Sequence, residues 1–248
     1  MNGMITSEES CPEITEELLE KIRSYKIVDA VKNVQNSMIE EPLEKAVEPK
    51  KTFYYTKDFA DGNGKTVALF DFGAKANIER ELERRGCEVK VVPYSTTAEE
   101  IIRMAPSGIM LSNGPGDPAE NVEIIEEIKK LCGYKKIPIF GICLGHQMLA
   151  LANGAKTSKL KYGHRGGNQP VKDLETGRVY ITSQNHGYAV ENGSLPENAK
   201  LSFINTNDGT CEGVNYVGIP AFSVQFHPEA CGGPHDTNFL FDKFINMM

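Results

Sequence analysis

Ile137-Pro138-Ile139-Phe140-Gly141-Ile142-Cys143-Leu144-Gly145-His146-Gln147 is an apolar run that stops at a glycine-flanked cysteine and passes at once into a helix-forming stretch. Its first half has the length and composition of a buried strand, and Leu144 to Ala152 reads as a helix. The G-x-C-x-G between them has the form of a nucleophile elbow, with Cys143 in place of serine. Glycines on both sides leave room for a strained turn that lifts the thiol off the sheet and sets it at the positive end of the new helix, where a thiolate is favoured. In a parallel sheet, ligand sites form beyond such carboxyl ends. A second reading stays open on these residues alone, a tight turn around a buried cysteine.

Upstream of this run the chain alternates strand and helix. Thr66–Phe72, Glu88–Val92 and Gly108–Ser112 read as strands. Asn77–Arg85, Ala98–Met104 and Ala119–Leu131 read as helices, with Thr97 as an N-cap and Lys129 and Lys130 placed late, where the helix dipole favours cations. Strands separated by helices imply right-handed βαβ units. After Asn153-Gly154 the pieces are short and strand-like: Val179–Thr182, Leu201–Ile204, Glu212–Tyr216 and Ala221–Gln225, closed by a helix over Phe239–Met248. The expected fold class is α/β, a mainly parallel central sheet flanked by helices, with an antiparallel or mixed C-terminal extension.

The N-terminal part differs. Glu13–Val34 reads as one helix or a pair, with apolar Leu18, Leu19, Ile22, Ile27, Val28 and Val31. Polar residues without a period follow through Glu41-Pro42 and Glu48-Pro49, and Asp61-Gly62-Asn63-Gly64 marks a break.

Composition narrows the function classes. In 248 residues, 27 Lys and Arg stand against 34 Asp and Glu, a net charge of −7, which weakens any case for general nucleic-acid binding. No apolar stretch approaches the roughly 18 residues of a membrane span, and the N-terminus is polar and acidic where a signal peptide is basic and then apolar. A soluble cytoplasmic protein is expected. Cys11, Cys87, Cys132, Cys143, Cys211 and Cys231 form no CxxC pair and no metal-type spacing, so they read as reduced thiols and no metal site is expected.

A cysteine nucleophile needs a base, usually a histidine oriented by a third group. His227 lies in Phe226-His227-Pro228-Glu229, directly after a strand-like stretch, and Glu229 stands where it could fix the imidazole tautomer. Alone, this motif reads better as an ordinary loop; beside an elbow cysteine the preference reverses, to base and orienter. The third motif, Leu111-Ser112-Asn113-Gly114-Pro115-Gly116-Asp117-Pro118, also ends a strand and has accessible backbone N–H groups suited to an oxyanion hole. It reads also as a structural turn. Neither GxxxxGK[ST] nor GxGxxG is present, which disfavours a nucleotide-phosphate loop.

Together, GICLGHQ, SNGPGDP and FHPE resemble the class I, or triad-type, glutamine amidotransferase family over residues 65–248. Asp71–Ile78, Gly166–Asp173, Gln184–Gly187 and Gly233–Asp236 resemble its carbamoyl-phosphate synthetase small-subunit branch. The resemblance implies a flavodoxin-like three-layer fold. It implies Cys143 as nucleophile, His227 as general base and then acid, and Glu229 as its orienting partner. It also implies oxyanion-hole amides at Gly114 and Leu144, and glutamine held by these with Gly116, Gln147, Asn185, Gly187 and Tyr188, the last where Phe is common. The implied chemistry is hydrolysis of L-glutamine through a thioester, with ammonia delivered to a large synthetase subunit for carbamoyl phosphate synthesis from bicarbonate, serving arginine and pyrimidine biosynthesis. ATP and magnesium are expected on that partner and no cofactor on this chain. Residues 1–57 resemble the closing part and linker of the longer N-terminal domain that family members carry ahead of the amidotransferase domain. Two other readings remain: a different class I amidotransferase or stand-alone γ-glutamyl hydrolase, and a non-catalytic interaction fragment.

Overall fold

A computed structural model of the chain describes residues 16–24, 28–34 and 62–248. Most of the expected N-terminal remnant, including Cys11 and the two Glu-Pro steps, lies outside the described residues. Within them, helix α1 covers Glu16–Ser24, and a helical turn at residues 30–34 buries Ala30 and Val31.

The remainder builds one nine-stranded sheet. Strands β1 (Thr66–Asp71), β2 (Glu88–Pro93), β3 (Gly108–Leu111) and β4 (Ile139–Ile142) alternate with helices α2 (Ala76–Glu83), α3 (Ala98–Met104), α4 (Val122–Tyr134) and α5 (Leu144–Ala152). Strands β5 (Thr157–Asp173), β6 (Val179–Val190), β7 (Ala199–Asn205), β8 (Cys211–Tyr216) and β9 (Ala221–Val224) follow, and α6 (Phe239–Met247) closes the chain. The spatial order is β2-β1-β3-β4-β9-β8-β7-β5-β6. Pairings from β2 to β9 are parallel and those from β9 to β6 antiparallel, so β9 is the seam between the two halves.

Helices cover both faces of the parallel half, which is why its strands are apolar throughout rather than alternating. In β1, Ala68 and Phe70 face Ile101 of α3, Ile128 of α4 and Met148 of α5. Val67 and Leu69 face Ile78 and Leu82 of α2 and Phe241 and Phe244 of α6. Phe140 of β4 stacks on Phe222 of β9 at 4.3 Å between centroids and meets Phe241 edge-on at 5.9 Å. This is the expected three-layer architecture.

Some local expectations need correction. The helix expected from Ala119 begins at Val122: Asp117 caps a 3-10 turn over Pro118–Glu120, and Asn121 (φ −91°, ψ 49°) interrupts the spiral. Strand β5 has no counterpart among the expected elements, and β6 runs to Val190 rather than ending at Thr182. Asn185-His186-Gly187, beyond the expected strand end at Thr182, lies inside β6.

Candidate active site

The parallel strands point their carboxyl ends toward one region, and four of these ends meet around Cys143. Cys143 has φ 53° and ψ −102°, a backbone conformation that costs a non-glycine residue about 1–3 kcal/mol. The turn is possible because the residues two before and two after Cys143 are glycines. A Cβ on Gly141 would stand 2.8 Å from the Gly145 carbonyl oxygen, and one on Gly145 would stand 2.7 Å from the Leu111 carbonyl carbon. Three backbone bonds fix the elbow: Cys143 N–H donates to Val224 (2.9 Å), Gly145 N–H to Ser112 (3.0 Å) and Gln147 N–H to Cys143 (3.1 Å).

β4 and β9 pair in register from Ile139 opposite Ala221 to Ile142 opposite Val224, which carries Cys143 and His227 out on adjacent strand ends. His227 is buried, and its Nδ1 faces Glu229 Oε1 at 2.7 Å. Burial works against the imidazolium, but the charge and hydrogen bond of Cys143 on one side and of Glu229 on the other push its pKa up to about 10. Glu229 is buried too; desolvation would raise its pKa, yet His227 and then Lys75 hold it below the usual carboxylate range.

Two residues that sequence reasoning did not single out support this line from the loop after β1. Lys75 Nζ lies 3.5 Å from Glu229 Oε1, and Asn77 Nδ2 donates to the Glu229 backbone carbonyl. Asp71 holds that loop by accepting from the Gly73 (2.9 Å) and Ala74 (2.7 Å) amides. The available signal was the position of the Asp71–Ile78 run beyond a strand's carboxyl end.

The Ser112–Pro118 loop closes the other side. Ser112 Oγ accepts from the Phe72 amide (3.0 Å), and Asn113 Oδ1 accepts from the Lys75 amide (3.0 Å). A Cβ on Gly114 would stand 2.7 Å from Leu144 Cδ2, so this glycine lies against the first residue of α5. Neither the Gly114 nor the Leu144 N–H donates to a protein group among the described residues. Gly116 (φ +97°) lies against Ala30, so the N-terminal turn packs on this loop.

Gln147 is buried and commits its Nε2 to the Tyr188 carbonyl (2.7 Å) and to Gln225 Oε1 (2.8 Å). Asn185 is exposed and Gly187 and Tyr188 are half-buried, all on β6. Burial and then the nearby Asp117 carboxylate raise the pKa of the Tyr188 phenol. His146 turns away from the thiol, its Nδ1 2.8 Å from Ser223 Oγ, and burial pushes its pKa down to about 3.

A second titratable group lies behind β6. His164, His186 and Glu212 bring one nitrogen or oxygen each within 4.8 Å of one another, a spacing that could hold a metal ion. His164 is, however, bracketed by carboxylates, Nδ1 3.2 Å from Glu212 Oε1 and Nε2 2.8 Å from Asp208 Oδ2. Its hydrogen bond with Glu212 outweighs burial and, with Asp208, raises its pKa to about 9, the arrangement of an ion pair.

A strained elbow cysteine beside a buried histidine–carboxylate pair, on a three-layer sheet, defines a class of amide-cleaving domain. The sequence model for glutamine amidotransferase class-I matches residues 68–247, and the chain belongs to that family. It is 58% identical over 188 residues to a carbamoyl phosphate synthase small chain from Staphylococcus saprophyticus, covering 75% of this chain and 51% of that one. Against the carbamoyl phosphate synthase small chain of Listeria monocytogenes it is 52% identical over 236 residues, covering 94% and 59%. The chain thus spans little more than half the length of these curated relatives. Among solved structures, a Thermoplasma acidophilum protein provisionally described as belonging to a GMP synthase superposes with a TM-score of 0.63 at 24% identity, over 74% of this chain and 92% of that one. That likeness concerns the fold alone. No helix among the described residues is long and apolar enough to cross a membrane.

Proposed function

We propose that the chain is the glutamine-hydrolysing component of a carbamoyl-phosphate synthetase, acting in the cytoplasm. The observation that carries this is His227, buried between Glu229 and Cys143 at the ends of two paired strands. In this reading the Cys143 thiolate attacks the side-chain amide carbon of L-glutamine, facing the imidazolium that Glu229 orients. The resulting oxyanion meets the Gly114 and Leu144 amides, which lack protein acceptors among the described residues. His227 gives its proton to the departing ammonia, then takes one from a water that cleaves the γ-glutamyl thioester to glutamate. Gln147, whose amide hydrogens are already used, presents its carbonyl oxygen to the substrate, beside Gly116, Asn185, Gly187 and Tyr188.

The names of its relatives support a partner, the large synthetase subunit, which would consume the ammonia with bicarbonate and carry the ATP and magnesium. The test is glutamine hydrolysis by wild type and Cys143→Ala, each with and without a large subunit. Weak basal turnover that Cys143→Ala abolishes, and that the large subunit raises, is expected. Equal turnover in both proteins would refute the mechanism, and indifference to every large subunit would refute the partner.

A further inference from the structure

The pairing of β5 with β6 breaks opposite the segment assigned above to glutamine. Lys159 pairs with Tyr188 and His164 with His186, so Leu160–Gly163 on one strand stand against Gly187 alone on the other. Such a bulge removes ladder hydrogen bonds and frees the opposite backbone to meet a ligand. It also removes what would normally hold that backbone in place.

A buried side-chain chain stands in for the missing ladder. His186 Nδ1 lies 2.8 Å from the Tyr188 carbonyl and its Nε2 3.0 Å from Gln184 Oε1; both are acceptors, so the neutral ring donates to one of them at a time. Gln184 Nε2 donates to Glu212 Oε2 at 3.0 Å. The other Glu212 oxygen pairs with His164 Nδ1, and His164 Nε2 with Asp208. Glu212 is fully buried on β8, two strands away in sheet order from β5, so the chain ties the bulged segment to the body of the sheet. Alternation along β6 puts Gln184 and His186 on the network side and Asn185 and Gly187 on the opposite side.

We infer that Glu212, braced by His164 and acting through Gln184 and His186, is a positioning residue that fixes Asn185–Tyr188 for glutamine without touching substrate. This rests on the function proposed above and adds to it a group that none of the strand-end motifs contains. A buried carboxylate with three polar neighbours, His164, Gln184 and Asn205, over-determines its surroundings, and replacing it leaves donors facing a weaker acceptor.

Two readouts separate positioning from general damage. Alkylation of Cys143 by iodoacetamide needs the elbow and His227 but no amino-acid recognition; protection of Cys143 by L-glutamine needs the β6 segment. In Glu212→Gln, which keeps volume, and in His164→Asn, the half-protecting glutamine concentration is expected to rise about tenfold, the loss of roughly one charge-assisted hydrogen bond. The alkylation rate without glutamine stays within about twofold. Protection at the wild-type concentration in both variants overturns the inference, and so does a parallel loss of alkylation, which marks a structural role. If wild-type Cys143 is alkylated yet glutamine never protects it, the proposed function itself falls, and this inference with it.

Discussion

Gly145→Ala tests whether the elbow depends on close backbone approach. Gly145 is the second residue of α5, where alanine gains about 1 kcal/mol in helix propensity. At this site the added methyl would stand 2.7 Å from both the carbonyl carbon and the Cβ of Leu111, and closer still to that carbonyl oxygen. Carbon atoms rest at roughly 3.5–4.0 Å, so α5 must retreat from β3 by close to 1 Å. That overpacking costs about 3 kcal/mol and strains the Gly145–Ser112 hydrogen bond, worth about 1 kcal/mol more. The net expectation is destabilisation by about 3 kcal/mol. Gly133→Ala is the matched control, since it lies in α4 with nothing within 4 Å of the added carbon. That variant should gain about 0.5–1 kcal/mol. Urea denaturation followed by circular dichroism reads both. Displacing Cys143 by such a distance should also slow its reactions by about a hundredfold, measured as iodoacetamide alkylation with peptide mapping to separate the other cysteines. If Gly145→Ala unfolds at the wild-type urea concentration with full thiol reactivity, the account of the elbow is wrong.

Other expectations follow from the packing and the charges. Phe140→Ala removes a fully buried ring stacked on Phe222 and should cost about 3–5 kcal/mol in urea denaturation; a loss under 1 kcal/mol would mean the core re-closes. Thr97→Ala breaks the capping box with Glu100 and should cost about 1 kcal/mol by the same measurement. His164 is raised above its ordinary 6.5 to about 9, so the stability it adds is fully present below pH 6.5 and lost as pH rises through 9. Wild type should therefore exceed His164→Asn most at pH 6 and least at pH 10; a gap that widens with pH would reverse the assignment of the Glu212 and Asp208 contacts.

Much of the parallel half was legible because its strands and helices obey local rules. Thr97 and the run to Met104, and Leu144 to Ala152, fall where cap and period place them. Strand β5 was not legible for a physical reason. Most of Thr157–Asp173 is exposed or half-exposed on both faces, so burial imposes no alternation, and bulges break what pattern remains. Site chemistry was suggested by three short motifs because each lies at a strand end, where backbone geometry restricts the residue types. The groups that brace those motifs left only a fainter trace, in runs whose place and resemblance mark the stretch but not the partner. Asn77 meets Glu229, and Gln184 meets Glu212, across the fold, and local sequence does not say which distant residue each will meet.

The seam at β9 has a consequence for how the protein comes into being. The elbow is complete in sequence by residue 147, but His227 arrives on β9, whose antiparallel neighbour is β8. A chain emerging in order therefore carries a thiol with no proton acceptor beside it until β9 docks against β4. The Cys143–His227 pair is completed only when the sheet closes, so the site depends on a strand pairing between segments some eighty residues apart in the chain.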